Sequence, residues 1–396
     1  MQHIKSKITT PRLAIISTHP IQYNAPWFKI LAGKKDIELK VFYTWSQRQE
    51  ELFDAKFGRE IRWDIPLLEG YDYSFVENPA RDPGNHHFFG ITCPSLIKEI
   101  KDWNATHLLV MGWNFKAHLS AMRHFKGKIP VLFRGDSTLL DETGGYKTLI
   151  RRTILKWVYR HIDLALYVGS SNKAYFLAHG VAPKKLVYAP HAIDNDRFRE
   201  APGKDFHKEV EKWRKELNID PHEHVILFVG KFETKKDPLL LLSAFRELQK
   251  RKKKEHPLSR LLFVGNGKLE EELRQASEGM NVSFLPFQNQ SQMPLVYRLG
   301  NVLCLPSGGP GESWGLVINE ALSSGTPCII SDKAGCAADL GKLEGNQVFP
   351  YGNRESLVQC LENANHTLTP DQESFFNTWN FDFLTDSILR VVKLSS

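Results

Sequence analysis

The sequence predicts an α/β protein of two doubly wound parallel-sheet domains facing a central cleft. Three observations carry this. The chain has 396 residues, enough for about two domains of roughly 100–200 residues. Short apolar runs alternate with longer amphipathic stretches, as in βα units around a parallel sheet. The alternation is interrupted over Ala189–Asp220 and then begins again.

In the first half, Leu13–Ser17, Leu39–Tyr43, His107–Met111, Val131–Phe133 and Leu164–Val168 read as strands. Helical-period stretches lie between them at Pro26–Leu31, Lys116–His124, Tyr146–Arg160 and Ser171–His179. Trp45–Pro94 is long, irregular and rich in aromatics, Gly and Pro, which marks a functional loop or an insertion. Ala189–Asp220 has a turn-rich start, a Pro202–Gly203 break and a charged helix near Lys208–Leu217, and reads as a hinge. In the second half, Val225–Val229, Leu261–Val264, Val282–Leu285, Val302–Leu305, Cys328–Ile330 and Val348–Phe349 read as strands. Leu239–Lys250, Leu269–Ser277, Met293–Leu299, Leu316–Ser323 and Ser356–Asn363 read as helices. The expected domains are 1–190 and 221–378, joined by 191–220.

A composition of 42% hydrophobic and 24% charged residues excludes disorder, collagen and coiled coil. Five widely spaced cysteines without a C-x-x-C argue against a disulfide framework or zinc ribbon and for a reducing compartment. Met1–Arg12 is polar and basic, and no apolar run reaches the ~18 residues that span a bilayer. The expectation is a soluble, cytoplasmic protein. Residues 1–200 hold 29 Lys and Arg against 20 Asp and Glu, so the first half carries the excess of the +7 net charge. Such a half suits an anionic membrane surface, an anionic substrate or nucleic acid, or a merely solvated face. The basic run Lys250–Lys254 matches the carbonyl end of a helix, and no nucleic-acid module accompanies it.

The most specific stretch is Pro306-Ser-Gly-Gly-Pro-Gly-Glu312-Ser-Trp-Gly-Leu-Val-Ile-Asn-Glu320. A strand ends at Leu305, a Gly/Pro loop follows, and a helix begins near Trp314 or Gly315. Glycines admit close backbone approach, and free helix-start N–H groups favour phosphate. Glu320 lies about 7–8 Å along the axis from Gly315. Two such carboxylates suit hydroxyls at opposite ends of a diphosphate-bridged ligand; spacing alone fits an incidental pair equally well. A second strand–loop–helix, Val229-Gly230-Lys231 through Lys236 to Pro238, presents lysines at a sheet's carboxyl edge, where ligands bind.

Gly230-Lys231, Lys236, the phrase Phe263-Val-Gly-Asn-Gly-Lys-Leu-Glu270 and Glu312…Glu320 together resemble glycosyltransferase family 4, retaining sugar transferases of the GT-B fold. The likeness covers about 186–350 strongly and the first half loosely. It implies that Lys231, where the family commonly has Arg, and Lys236 neutralise a donor diphosphate. It implies Glu312 on the donor sugar, Glu320 on the ribose, and backbone amides of Ser313, Trp314, Gly315 and Leu316 at the phosphates. Gly265 and Gly267 would lie near the base, and a last helix near Phe381–Val392 would cross back to the first domain. No metal or other cofactor is expected, and Asp194-Asn195-Asp196 reads as a turn and helix start rather than a metal motif.

On the acceptor side, Thr18-His19-Pro-Ile-Gln22-Tyr23-Asn24, Gly112-Trp113-Asn114 and Arg134-Gly-Asp136 follow strands at the cleft edge. His19, Gln22, Trp113, Asn114, Arg134 and Asp136 are the candidates there, each also readable as an ordinary strand-end group. The resemblance adds His118 beside the reacting sugar. The implied activity is transfer of a sugar from a nucleotide diphosphate sugar, UDP favoured, to a glycan or lipid-linked acceptor, with peripheral attachment to the inner membrane face. The alternatives are a GT-B epimerase or phosphorylase, or a non-catalytic nucleotide-sugar-binding scaffold.

Overall fold

The computed structural model describes residues 10–45, 52–54, 59–61, 63–200, 205–251, 258–309, 311–364 and 372–394. The Pro202–Gly203 break, the end of the basic run at Lys252–Lys254, and Pro310 lie outside them.

Among the described residues, nine strands belong to the first half: β1 (Arg12–Ser17), β2 (Glu38–Tyr43), β3 (Leu52–Asp54), β4 (Arg59–Ile61), β5 (Asp72–Phe75), β6 (His107–Met111), β7 (Val131–Arg134), β8 (Leu164–Tyr167) and β9 (Leu186–Tyr188). All but the β3–β4 hairpin form one parallel sheet, in the order β5-β2-β1-β6-β7-β8-β9. The second half holds β10 (His224–Val229), β11 (Ser259–Val264), β12 (Val282–Leu285), β13 (Val302–Leu305), β14 (Cys328–Ser331) and β15 (Gln347–Phe349). They form a parallel sheet in the order β12-β11-β10-β13-β14-β15. In each sheet the strand order reverses beside the first strand, and the loops leaving that point at the carboxyl edge are where an open α/β sheet binds its ligand.

The core follows from composition. Every residue of β10 is buried, as is every residue of β7. The chain changes domains between Ala192, packed with Leu13 and Ile15, and Ile193, packed with Val225 and Leu227. The buried Arg134 guanidinium donates to the carbonyl oxygens of Ala189 (2.6 Å) and Pro190 (3.0 Å), holding that passage in place. Within 191–220, Phe198, Val210 and Ile219 join the core of the second domain. The helix Phe381–Leu394 then returns. Phe381, Leu384, Ile388 and Val392 pack with Trp27, Phe28 and Leu31 of the first domain. Its rim ion pairs are Lys34 with Asp386 and Lys393 with Asp36, each 2.7 Å.

Strands β5 and β9 had no counterpart among the sequence-predicted ones. Both are sheet edges, where a half-exposed strand needs no apolar run. No helix among the described residues is long and apolar enough to cross a membrane.

Candidate active site

Between the domains lies a cavity of about 340 Å³. Gly230 and Lys231 reach it from the loop after β10, Gly265 from the loop after β11, and Glu320 from the helix Leu316–Ser323. Gln22, Tyr23 and Trp63 close it from the first domain. Gly265 has φ +141°, and a Cβ there would lie 2.0 Å from the Gly230 carbonyl oxygen, so the two loops can meet only through glycine. Gly267 is similarly tight against the Phe232 backbone, and cavity-lining residues do not include it.

Glu320 is buried, and both its oxygens are held. Tyr23 donates to Oε1 at 3.0 Å from the first domain; Tyr297 donates to Oε2 at 2.6 Å. Burial pushes the Glu320 carboxyl above its ordinary value, while the two tyrosine hydroxyls and the Arg197 charge work the other way. Burial likewise raises both phenols, so they remain protonated donors.

Glu312 sits in the loop before that helix. Its Oε2 accepts from Ser307 Oγ at 2.9 Å and forms an ion pair with Lys236, which lies at the end of the loop after β10. The helix starts at Leu316 behind Gly315, whose φ of +101° marks the cap and whose conformation supplies no side-chain capping bond. The first amides of a helix lack intrahelical acceptors and favour an anion. Trp314 is not at the surface: it is buried, and its Nε1 donates to Asn319 Oδ1 at 2.7 Å, which in turn donates from Nδ2 to the His191 carbonyl. The donor-side residues thus form two groups, Lys236 with Glu312 near the helix start and Lys231 with Glu320 in the cavity.

The acceptor-side candidates separate. Trp113, Asn114 and Asp136 line a second cavity of about 360 Å³ in the first domain, together with Arg151. Asp136 also crosses to the second domain, accepting from Ser313 Oγ at 2.6 Å, and its carboxyl is held down to about 2. Burial opposes that shift, and the polar neighbours outweigh it; His191 Nε2, at 3.9 Å, is too far for a direct bond and has no hydrogen-bond partner among the described residues. His19 bonds through Nδ1 to Thr18 Oγ1 at 3.0 Å and sits edge-on to Trp45. Gln22 lines the donor cavity rather than the acceptor one.

Two candidates are placed elsewhere. Arg134 is spent on the Ala189 and Pro190 carbonyls. His118 is fully buried: Nδ1 lies 2.8 Å from the Gly112 carbonyl and Nε2 2.8 Å from Thr44 Oγ1. The carbonyl can only accept, which assigns the proton to Nδ1 and makes Nε2 the acceptor. Burial lowers the imidazole to about 4. His118 is a neutral core group joining two strand-end loops, with no face on the cleft.

Tyr23, Tyr297, Ser307 and Asn319 were not singled out in the sequence. Tyr23 adjoins Gln22 in a loop already marked; a tyrosine on the buried side of Met293–Leu299 looks like any core residue. Among the described residues, Asp82, His86 and His87 are the set with ligand atoms within 4.8 Å of one another, and Asp82 and His87 border a different cavity in the first domain.

Residues 209–367 match the model for glycosyl transferases group 1. That segment, about two fifths of the chain, is similar to glycosyl transferases of group 1. It contains Lys231, Lys236, Glu312 and Glu320 together. A D-inositol 3-phosphate glycosyltransferase of Segniliparus rotundus is 34% identical over 161 residues, 39% of this chain and 33% of the relative. The sulfoquinovosyl transferase of Arabidopsis thaliana is 26% identical over 225 residues, 56% of this chain and 41% of the relative. The chain thus spans about a third to two fifths of the length of the curated relatives it matches. The Anabaena protein HepE, solved with UDP and glucose, superposes with a TM-score of 0.68 at 15% identity, covering 97% of this chain and all of that one. Sucrose-phosphate synthase of Thermosynechococcus elongatus gives 0.68 at 16%, covering 97% and 98%. These likenesses establish the architecture: the chain has a GT-B fold, and the matched segment lies in its second half.

Proposed function

We propose that the chain is a retaining hexosyltransferase. It moves a sugar from a nucleotide diphosphate sugar, with UDP as the nucleotide, to a glycan or lipid-linked acceptor in cell-surface polysaccharide or glycoconjugate synthesis. The carrying observation is the cavity between the domains, where Lys231 and the Glu320 carboxylate face one space at the point of strand reversal. The HepE structure with UDP and glucose supports the choice of ligand class.

In this reading Glu320 exchanges the Tyr23 hydroxyl for ribose hydroxyls, and Glu312 receives sugar hydroxyls. Lys231 and Lys236 act as point charges for the diphosphate in place of a metal. The C1–O bond to the β-phosphate breaks and the acceptor hydroxyl forms the new bond on the same face. Its proton passes to the departing phosphate oxygen, so the configuration is kept without an enzyme-bound sugar. Ion pairing of Lys236 with Glu312 keeps both charges compensated until the donor arrives.

Thermal shift with UDP, GDP, ADP and their common sugars, on the wild type and Glu320→Ala, tests the reading. At 100 times Kd a ligand stabilises by about 2.7 kcal/mol. The expected result is a shift with UDP and its sugar that weakens in the variant. No shift with any nucleotide would sink the proposal.

A further inference from the structure

The helix Tyr146–Val158 carries its apolar side chains outward. Tyr146, Leu149, Ile150, Ile154 and Trp157 are between 41% and 71% exposed, whereas Leu155 and Val158 alone are buried beneath it. At about 100° per residue these five fall within one stripe roughly 140° wide, on the side opposite Leu155. The same helix holds Lys147, Arg151, Arg152 and Lys156 and no acidic residue. Arg152 is engaged with Glu142 at 2.7 Å. Lys147 and Arg151 fall along one border of the stripe and Lys156 along the other. Among the described residues this face stays exposed, and an apolar stripe left in water gains nothing from burial.

We infer that Tyr146–Val158 is a docking surface for an anionic lipid bilayer. It rests on the reading of the protein as a transferase with a lipid-linked acceptor and deepens it by naming the surface that meets the lipid. The chemistry favours lipid over a second protein. An interfacial helix buries an apolar stripe among the acyl chains and keeps cations at the headgroups, and aromatic residues with one wet edge mark that level. Tyr146 and Trp157 stand at the two ends of the stripe, cations flank it, and the half of the chain that bears it holds the positive excess. Each cation near an anionic surface adds to the attraction.

Its place in the fold connects it to the cleft. Arg151 lines the first-domain cavity with Trp113, Asn114 and Asp136. Five residues before the helix starts, Asp141 accepts from the Gly311 amide at 2.9 Å, in the loop that carries Glu312. A bilayer under this helix therefore lies beside the acceptor-side cavity. A lipid-linked acceptor would reach the cleft without leaving the membrane.

The test is co-sedimentation of the full chain with vesicles of phosphatidylglycerol and phosphatidylcholine, and with phosphatidylcholine alone. The comparison is the double variant Leu149→Glu with Ile150→Glu. Both positions are exposed, so the variant should fold, which its unchanged circular dichroism and melting curve would verify. The wild type should pellet with the anionic vesicles and be released by high salt, while the variant stays at the lipid-free background. Failure of the wild type to bind, or equal binding by the variant, overturns the inference. So does a wild-type dimer in sedimentation velocity that the variant converts to monomer without any vesicle binding, which would assign the face to a second copy. UDP thermal shift on the same samples separates the two readings. An intact shift without vesicle binding strikes only this surface, and vesicle binding without any nucleotide shift strikes only the transferase reading.

Discussion

Tyr23 donates its hydroxyl to Glu320 Oε1 at 3.0 Å across the interdomain cleft, joining residues 297 apart in the chain. The bond holds the two halves of the cavity together and occupies the oxygen assigned to the ribose. A hydrogen bond to a charged group contributes roughly 1.5–3 kcal/mol, and removing one partner leaves the other in want of a donor.

Tyr23→Phe should therefore leave Glu320 Oε1 without its cross-domain donor in the free protein while keeping the ring. The expected outcome is a lower melting temperature without ligand and tighter nucleotide binding, by about 5-fold or more. Calorimetric titration of UDP into both proteins checks it. Weaker binding in the variant would mean that the hydroxyl itself contacts the nucleotide.

Glu320→Gln separates stability from binding. Burial raises the Glu320 carboxyl, so the folded protein keeps that proton to higher pH than the unfolded chain does. Ionising it costs stability, a cost absent below the ordinary value of 4.5 and complete once pH exceeds the folded value. The neutral isostere should melt at a higher temperature than the wild type at pH 7.5, with the gap closing as pH falls towards 4.5. Nucleotide affinity should meanwhile drop about 10-fold or more, because ribose hydroxyls lose a charged acceptor. Melting curves across that pH range, with and without UDP, decide both points.

These contrasts explain how much was legible beforehand. β10 is buried along its full length and announced itself as an unbroken apolar run; β5 lies at an edge, half-exposed, and did not. The donor-side groups sit on glycine-bearing loops between a strand and a helix, a pattern visible in one dimension. Acceptor-side positions offered only polar residues at strand ends. Alternation would put Arg134 and Asp136 on one face, but the strand ends at Arg134, which turns to the Ala189 carbonyl, and Asp136 in the loop beyond meets Ser313 across the cleft. The periodicity of Tyr146–Arg160 showed a helix correctly, but period alone cannot tell an apolar face turned inward from one turned out; only the exposure of Leu149 and Ile150 does. Glu320 was readable, its two tyrosine partners were not, since Tyr23 comes from the other domain.

The Lys236–Glu312 pair gives the third prediction. Both side chains are largely buried, at 15% and 8% exposure, so removing the lysine leaves a carboxylate uncompensated. Lys236→Met should destabilise the protein by about 3 kcal/mol and abolish transfer. The double variant Lys236→Met with Glu312→Leu should recover most of that stability and none of the activity. Urea denaturation on the three proteins tests the coupling. A single variant as stable as the wild type would show that the pair is solvated in solution.

The fourth concerns His118. Its folded value near 4 lies below the ordinary 6.5, so the unfolded chain takes up a proton that the folded one refuses. A depressed histidine leaves stability intact above 6.5 and removes it progressively as pH falls towards 4, by about 3 kcal/mol if fully titrated. His224, also lowered by burial to about 4, adds to the same loss. Asp136, held at about 2 against an ordinary 3.8, adds its own loss mainly below about pH 4, where the unfolded chain takes up a proton that the folded carboxylate refuses. His118→Asn can keep the bond to the Gly112 carbonyl but has no imidazole to charge. It should be less stable than the wild type at pH 7 by about 1–3 kcal/mol, from lost packing and the lost Thr44 contact. Between pH 7 and 4.5 it should lose less stability than the wild type does. Nucleotide affinity and, once an acceptor is found, turnover of the folded variant should remain within a few-fold of wild type. Denaturation midpoints at the two pH values measure the first effect. A turnover loss beyond 100-fold with stability and nucleotide binding intact would return His118 to the reacting sugar and require the loops holding it to open during catalysis.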